Sequence, residues 1–377
     1  MKRAPHFADY PLAGKPVYLR WVIGLVAIVL GWAAFAEKLS TGTEPGLAII
    51  SIVAAVGLWT LVFLLRVLAY RFNRHNAQTY HEGADHQRRV WWRQHRQTVA
   101  LVESVLVSAA CSRPEQVGAL LDPDFQPPAA ADSSDGATIR LLQVFGDSVA
   151  ERERELAVLL ALQWEAQAET PRKLQPLRCY WQGSPAAWRA FAGQMTQRCP
   201  DVFLPDEPEP WQGIRSLDAI IDLLQSAPQG ARVLCAGCHC IQAEQDSPLP
   251  AGEAAVLWLL GATGGATFSR GEWLAVHTEH IADVAQRALE QSELEAPAKA
   301  CLSFTQPDQP DVSSIGWNTR QHLQDANFGA LGPLAPMVLQ TLAAWQAEQQ
   351  GVPCAWLACD PYHTLTLGIV KPDDTTR

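Results

Sequence analysis

Three groups of residues in this 377-residue chain carry side chains able to do chemistry. The densest is Cys235-Ala-Gly-Cys238-His239-Cys240. Thiolates and imidazoles ligate zinc and iron–sulfur clusters, so this run has the composition of half a metal site. The other half would have to come from Cys354 and Cys359, whose C-x-x-x-x-C spacing is not a usual zinc knuckle. The cluster also continues an apolar stretch, ARVLCAG, where cysteine serves as a small core residue. A redox C-x-x-C needs a helix starting after its first cysteine, and the following IQAEQDSPLP reads as loop. The second group is Asp360-Pro-Tyr-His363, a turn in which His363 has the character of a general base without a nucleophile beside it. The third is His277 and His280 straddling Glu279, with the composition of a surface helix start. Gly261-Ala-Thr-Gly-Gly265 lacks the lysine of a phosphate loop. G-x-S-x-G and H-E-x-x-H are absent. These residues predict no catalytic, cofactor or metal site.

The elements that would position these groups alternate in type. Residues 73–110 read as one Arg- and Gln-rich helix, and 122–137, DPDFQPPAAADSSDGA, as a linker. A long helix is expected over 138–168. LRCYWQG (177–183) reads as a strand. Ser184 as N-cap and Pro185 at the first helical position then open a helix. SLDAIIDLLQSA (216–227) has an amphipathic helical period, again behind a serine cap. ARVLCAG (231–237) and GEAAVLWLLG (252–261) read as buried strands, and 271–294 contains a helix. AKACLSFTQ (298–306) is a strand. APMVLQTLAAWQAEQ (335–349) is a helix leading into the strands CAWLACD (354–360) and TLTLGIVKP (364–372). Apolar strands alternating with helices predict an α/β layered domain.

Upstream lie two charge-free apolar runs. Trp21–Ala36 has sixteen residues, extended by Val17–Leu19 if Arg20 snorkels. Gly46–Leu65 has twenty, which at about 1.5 Å each spans about 30 Å of hydrocarbon. Ala34-Phe35-Ala36 imitates a signal-peptidase site, but the preceding stretch is long for a signal peptide and the second run follows closely. Lys2, Arg3, Lys15 and Arg20 precede the first run. Arg66, Arg71, Arg74, Arg88, Arg89, Arg93 and Arg96 follow the second. The connecting EKLSTGTEP has one lysine and two glutamates. The positive-inside rule therefore places both ends in the cytoplasm, with a tiny loop outside. Neither run holds a buried ionisable group, which argues against transport or proton relay. Gly24, Gly31, Gly46 and Gly57 offer small-residue packing positions.

Composition agrees. Apolar residues make up 48% and charged residues only 18%, which excludes a disordered chain. Residues 1–100 carry 12 Lys/Arg and 5 Asp/Glu, a net +7, so the remainder of a chain with 29 and 39 has a net −17. An acidic body argues against nucleic-acid binding. Nine cysteines, an odd number in a long chain, read as reduced thiols. The expected organisation is a transmembrane hairpin (1–72), a basic juxtamembrane segment and linker (73–135), and a cytoplasmic α/β domain (136–377).

The stretch from about 213 to 372 resembles the C-terminal part of thiolase-like condensing enzymes, the ketosynthases. SLDAIIDLLQSAPQGARVLCAG is similar to the helix and strand that follow the family's nucleophile. LPAGEAAVLWLL is similar to its "GEGA" strand. NFGALGPLAPMVLQTLAAWQAEQ resembles the segment opening its last long helix, and ACDPYHTLTLGIV its closing Gly-rich hairpin. The family uses a cysteine nucleophile and two histidines. Here the nucleophile position falls near Gly213–Ser216, the first histidine near Thr305 and the second at Pro333, after Gly332. All three groups are missing.

An N-terminal membrane segment joined to such a degenerate body resembles the adapter proteins encoded beside type VI secretion lipase effectors. That resemblance implies a non-enzymatic adapter or chaperone that binds a lipase effector and assists its loading onto a spike protein. Trp211, Trp273 and Trp317, expected in loops, are the candidate partner contacts, because interface anchors favour tryptophan. Two alternatives stand beside it. One is a membrane-bound acyltransferase using Cys235, Cys238 or His363. The other is a structural inner-membrane protein. A neighbouring lipase gene would favour the adapter.

Overall fold

The computed structural model describes residues 5–39, 45–133, 135–167, 173–275, 278–305, 316–319, 321–360 and 362–373. The chain divides into two compact units, one ending at Trp92 and one beginning at Arg93.

The first unit is a helical hairpin with a stem. Helices α1 (Tyr18–Leu39) and α2 (Pro45–His95) are both long and apolar enough to cross a membrane. Trp59 packs where α1 has only a glycine: a Cβ on Gly24 would lie 2.5 Å from the Trp59 ring. Trp59 Nε1 donates to the Trp21 carbonyl at 3.2 Å, and its ring lies 5.0 Å from that of Trp21. Gly31 and Gly57 face open space. Beyond the apolar part of α2, an extended N-terminal strap runs back along the helix. Asn73 clasps it by accepting from Ala13 N and donating to the Pro11 carbonyl. Tyr80 donates to the Ala8 carbonyl at 2.9 Å.

The second unit is built on one ten-stranded mixed sheet. At its middle, β1 (Val99–Ser108) pairs antiparallel with β7 (Glu253–Gly261), from Ala100↔Gly261 to Ser108↔Ala254. On one side follow β6 (Arg232–Cys240), β4 (Cys179–Gln182) and the edge strand β5 (Glu209–Pro210). On the other come β8 (Thr267–Phe268), β12 (His363–Lys371), β11 (Cys354–Asp360) and the edge strand β10 (Ala300–Ser303), with β9 (Glu272–Trp273) against β12. A small hairpin, β2 (Ala131–Ser133) and β3 (Gly136–Thr138), stands apart.

The period-2 alternation of strand side chains sorts the core into layers. On β7, Ala254, Val256, Trp258 and Leu260 join one cluster, with α6 (Ile214–Ser226) and α9 (Ala335–Gln350). Ala255 and Leu257 join the opposite cluster, with α4 (Val149–Ala166) and α5 (Pro185–Arg198). A third cluster packs α7 (Ile281–Gln291) on β11 and β12. All nine residues of β7 are buried, and α9 is buried nearly all round, so the sheet is covered on both faces. Two short helices, α3 (Val117–Leu120) and α8 (Asp325–Phe328), complete the body.

Most elements lie where the sequence places them, with four differences. The helix expected over 73–110 ends at His95, and Val99–Ser108 is instead the central strand, with valine at 99, 102, 105 and 107. The α/β body thus begins before residue 136. The expected linker 122–137 contains the β2–β3 hairpin. The helix expected from 138 starts at Val149, where Ser148 and Glu151 form a capping box. The serine cap expected for α6 is absent: Gly213 is the N-cap residue, and Ser216 Oγ accepts from Gln212 N at 2.8 Å.

Candidate functional site

Gly213 joins β5 to α6 with φ +62° and ψ −135°, a backbone region essentially reserved for glycine. A helix start leaves its first N–H groups without intrahelical acceptors. Here the acceptor comes from the other end of the body: Asp360, at the close of β11, takes the Ile214 N–H on Oδ2 at 3.2 Å. Its Oδ1 accepts from Tyr362 N (2.9 Å), His363 N (2.8 Å) and His363 Nδ1 (2.9 Å). The Asp360 side chain is fully buried. The space in front of the elbow is therefore filled: a Cβ on Gly213 would lie 2.7 Å from both Cβ and Cγ of Asp360.

His363 lies 4.9 Å, ring to ring, from Trp273 on β9. The exposed Tyr362 ring carries the Arg215 guanidinium 4.7 Å above it. A carboxylate holding one imidazole nitrogen is the arrangement that orients a general base. Among the described residues, no serine, threonine or cysteine side chain hydrogen-bonds to Asp360 or His363. The pair has the geometry of a dyad and lacks the group it would activate.

The positions that the ketosynthase resemblance assigns to the two histidines make other contacts. Thr305 follows β10 and donates its hydroxyl to Asp325 Oδ2 at 3.1 Å. Pro333 lies in the turn Gly332–Leu334 that opens α9, and the neighbouring Gly332 stands beside the His239 ring.

The cysteine run does not form one site, because strand alternation splits it. Cys235 points into the cluster with α6 and α9, and Cys238 and Cys240 into the one with α4 and α5. Burial pushes the thiols of Cys235 and Cys238 well up, and that of Cys240 up to about 12. Such thiols are poor nucleophiles, so Cys235 and Cys238 do not suit the acyl-transfer role considered for them. Cys354 and Cys359 lie on β11 rather than opposite β6. Among the described residues, no group of three or more His, Cys, Asp or Glu is placed to hold a metal.

The β6 terminus instead anchors an ionic network. His239 Nδ1 lies 2.9 Å from Glu153 Oε1 on α4. The buried Glu253 carboxylate accepts two hydrogen bonds from Arg152, at 2.6 and 2.8 Å, and one from Leu141 N. Burial raises the Glu153 carboxyl, but hydrogen bonds from His239 and Ser184 outweigh it and hold the group below its ordinary value.

Two tryptophans expected as exposed contacts are core residues. Trp211 is 4% exposed and packs edge-on against Trp258 at 5.6 Å, and Trp317 is 1% exposed. Each brings a large apolar surface that the core absorbs. Trp273 is half-buried against His363. His280 stands at the N-cap of α7, Glu279 pairs with Arg287 at 3.1 Å, and His277 lies outside the described residues. The Gly213–Asp360 contact was missed. Its one sequence signal is a glycine where a helix cap is expected.

The mixed sheet covered on both faces, the glycine elbow opening the amphipathic helix α6, the buried helix α9 and the β11–β12 hairpin aimed at the elbow agree with a thiolase-like fold. A solved structure agrees. The chain is similar to the ketosynthase from module 1 of the bacillaene synthase of Bacillus amyloliquefaciens FZB42, at TM-score 0.52 and 12% identity, over 74% of this chain and 76% of that one. It is also similar to the ishigamide ketosynthase/chain length factor, at TM-score 0.49 and 13% identity over 73% and 99%. The 3-oxoacyl-(acyl carrier protein) synthase III of Xanthomonas oryzae pv. oryzae superposes at TM-score 0.43 and 13% identity over 74% and 99%. At these identities the likeness is one of fold. No family model and no curated protein sequence matches the chain.

Proposed function

We propose that this chain is a membrane-anchored, non-enzymatic adapter: a thiolase-like body that binds a protein client instead of an acyl substrate. The supporting observation is the elbow. The resemblance puts the nucleophile near Gly213–Ser216, where there is no cysteine, and Asp360 fills the volume that a side chain at position 213 would need. The apolar α1–α2 hairpin supports anchoring in a bacterial inner membrane, and the basic residues flanking it support a cytoplasmic body. In its specific form, the client is a lipase effector of a type VI secretion system, and the adapter helps seat it on the spike. This form rests on the resemblance of the chain's plan, an apolar hairpin joined to a thiolase-like body, to the adapters encoded beside such effectors.

The test is purification of the full chain in detergent from its native host, with mass spectrometry of what co-elutes and of its cysteines. A lipase or a spike protein in stoichiometric amount is the expected result. An acyl carrier protein together with an acylated cysteine would overturn the reading in favour of an acyltransferase.

A further inference from the structure

The loop that joins the β2–β3 hairpin to α4, residues 139–148, holds two large apolar side chains out in water. Leu142 is 93% exposed and Phe145 is 74% exposed, while Leu141 and Val144 beside them are buried. Single exposed apolar residues are ordinary on a protein surface. Two of them three residues apart on one loop form a patch. Side chains exposed to this degree touch little of their own body, so packing of the fold does not account for them.

The backbone beneath them is tied down at several points. Ile139 N donates to the Ala251 carbonyl at 2.9 Å. Leu141 N donates to the buried Glu253 carboxylate at 2.7 Å, and Arg152 Nη2 donates to the Leu141 carbonyl at 3.3 Å. Val144 N closes a turn on the same carbonyl at 3.2 Å. Asp147 N and Ser148 N both donate to Glu151 Oε2, at 3.0 and 3.2 Å. Gly146 has φ +148°, and a Cβ there would lie 2.9 Å from Glu151 Cβ, so the loop sits tightly on the start of α4. The apolar pair is thus presented on an ordered support, which lowers the entropy lost when a partner covers it.

The charges around the loop select the occupant. Arg140 and Arg152 are turned inward onto Glu253, at 3.5 and 2.6 Å. Asp147, Glu151 and Arg154 are exposed. The chain beyond residue 100 carries a net −17. Like charge opposes a second copy of this chain and an anionic lipid surface alike, and it attracts a cationic protein surface.

We infer that Leu142 and Phe145 are the anchor with which the body docks its protein client, entering an apolar recess of the client that is rimmed by lysine or arginine. That the occupant is a client protein rests on the adapter reading.

The test begins with the full chain expressed in its native host with p-benzoylphenylalanine at position 142 or 145. Irradiation is expected to join both positions to the same protein, through a segment that combines apolar residues with lysine or arginine. It is expected to leave unjoined the same probe at position 352, an exposed valine between α9 and β11. That protein is then purified and titrated against the full chain in lipid nanodiscs. Leu142→Ser and Phe145→Ser are each expected to weaken binding about tenfold or more. Both should melt within about 2 °C of wild type, because neither side chain packs on the body. Leu177→Ser with Phe203→Ser removes an exposed apolar pair near β4 and is expected to change binding less than about twofold. Raising sodium chloride from about 0.05 to about 0.5 M is expected to slow association at least about threefold. An adduct with a second copy or with lipid alone, no adduct at either position, equal loss in the control pair or a salt-independent association rate would each overturn the inference. A lipase client that co-purifies undiminished with both serine variants overturns the loop as its seat and leaves the adapter reading standing. A joined protein that is neither a lipase nor a spike protein leaves the loop standing and overturns the lipase form of the adapter reading.

Discussion

Replacing Gly213 with alanine tests whether the elbow is held by its backbone and by Asp360 together. Two costs follow from the geometry. A non-glycine residue at φ +62°, ψ −135° is strained by about 1–3 kcal/mol. The new Cβ would also lie 2.7 Å from Cβ and Cγ of Asp360, and overpacking of this kind costs about 1–3 kcal/mol. The Asp360 side chain cannot swing away cheaply, because three backbone N–H groups and the His363 ring depend on it. The expected total is about 2–6 kcal/mol. For a body of this size, each kcal/mol lowers the melting temperature by roughly 2–4 °C.

The assay is thermal unfolding of the full chain in detergent, for the wild type, Gly213→Ala, Asp360→Ala and the double variant. Asp360→Ala keeps Cβ but removes Cγ and both oxygens, so it relieves part of the obstruction as well as removing the acceptor, and the two substitutions share space. The double variant should therefore be less destabilised than the sum of the singles, with a coupling of about 1–3 kcal/mol. A Gly213→Ala protein melting within about 2 °C of wild type would refute the strained elbow. Strict additivity would refute the shared volume.

Other outcomes follow from individual groups. N-ethylmaleimide applied to the native protein should label the half-buried Cys199 and Cys359 and leave the other seven cysteines unmodified until denaturant is added, as peptide mass spectrometry will report. Burial pushes the Glu272 carboxyl up, partly opposed by Arg287. Its protonated form is thus favoured in the folded state, and its contribution to stability is present below the ordinary carboxylate range and lost as pH rises through the raised value. Glu272→Gln, neutral at every pH, should flatten the fall in melting temperature from pH ~4 to ~7 relative to wild type. Ser148→Ala removes the cap of α4 and should cost about 1 kcal/mol, seen as a melting shift of roughly 2–4 °C.

The sequence showed those elements whose periodicity is local. β6 and β7 are continuous apolar runs, α5 opens with Ser184 and Pro185, and α9 leads directly into β11. β1 was misread as helix because it follows a 51-residue helix and because Glu103 and Ser104 break its alternation. Its strand character is fixed by pairing with β7, about 150 residues away in sequence, and no local window contains that partner. The tryptophans failed for a related reason. A loop position does not reveal whether a ring turns inward, and Trp211 turns onto Trp258. The contact of Asp360 with the start of α6 was not legible. Asp360 and Ile214 lie 146 positions apart, and only the closed fold brings them together.

Why the elbow keeps its shape can be argued from its parts. A glycine there leaves two defects: a small void before the helix, and an N–H at a helix start with no acceptor. A carboxylate mends both at once, because it is anionic at the positive end of α6 and accepts from Ile214 N. Its second oxygen closes the β11–β12 turn by accepting from Tyr362 and His363. Asp360 thus ties the strand that leads into α6 to the hairpin that ends the body, and the strained glycine permits that approach. The geometry has a structural use independent of acyl chemistry. A thiolase-like fold in this chain is therefore no argument by itself for thiolase-like activity, and the weight of any functional claim falls on what the body binds.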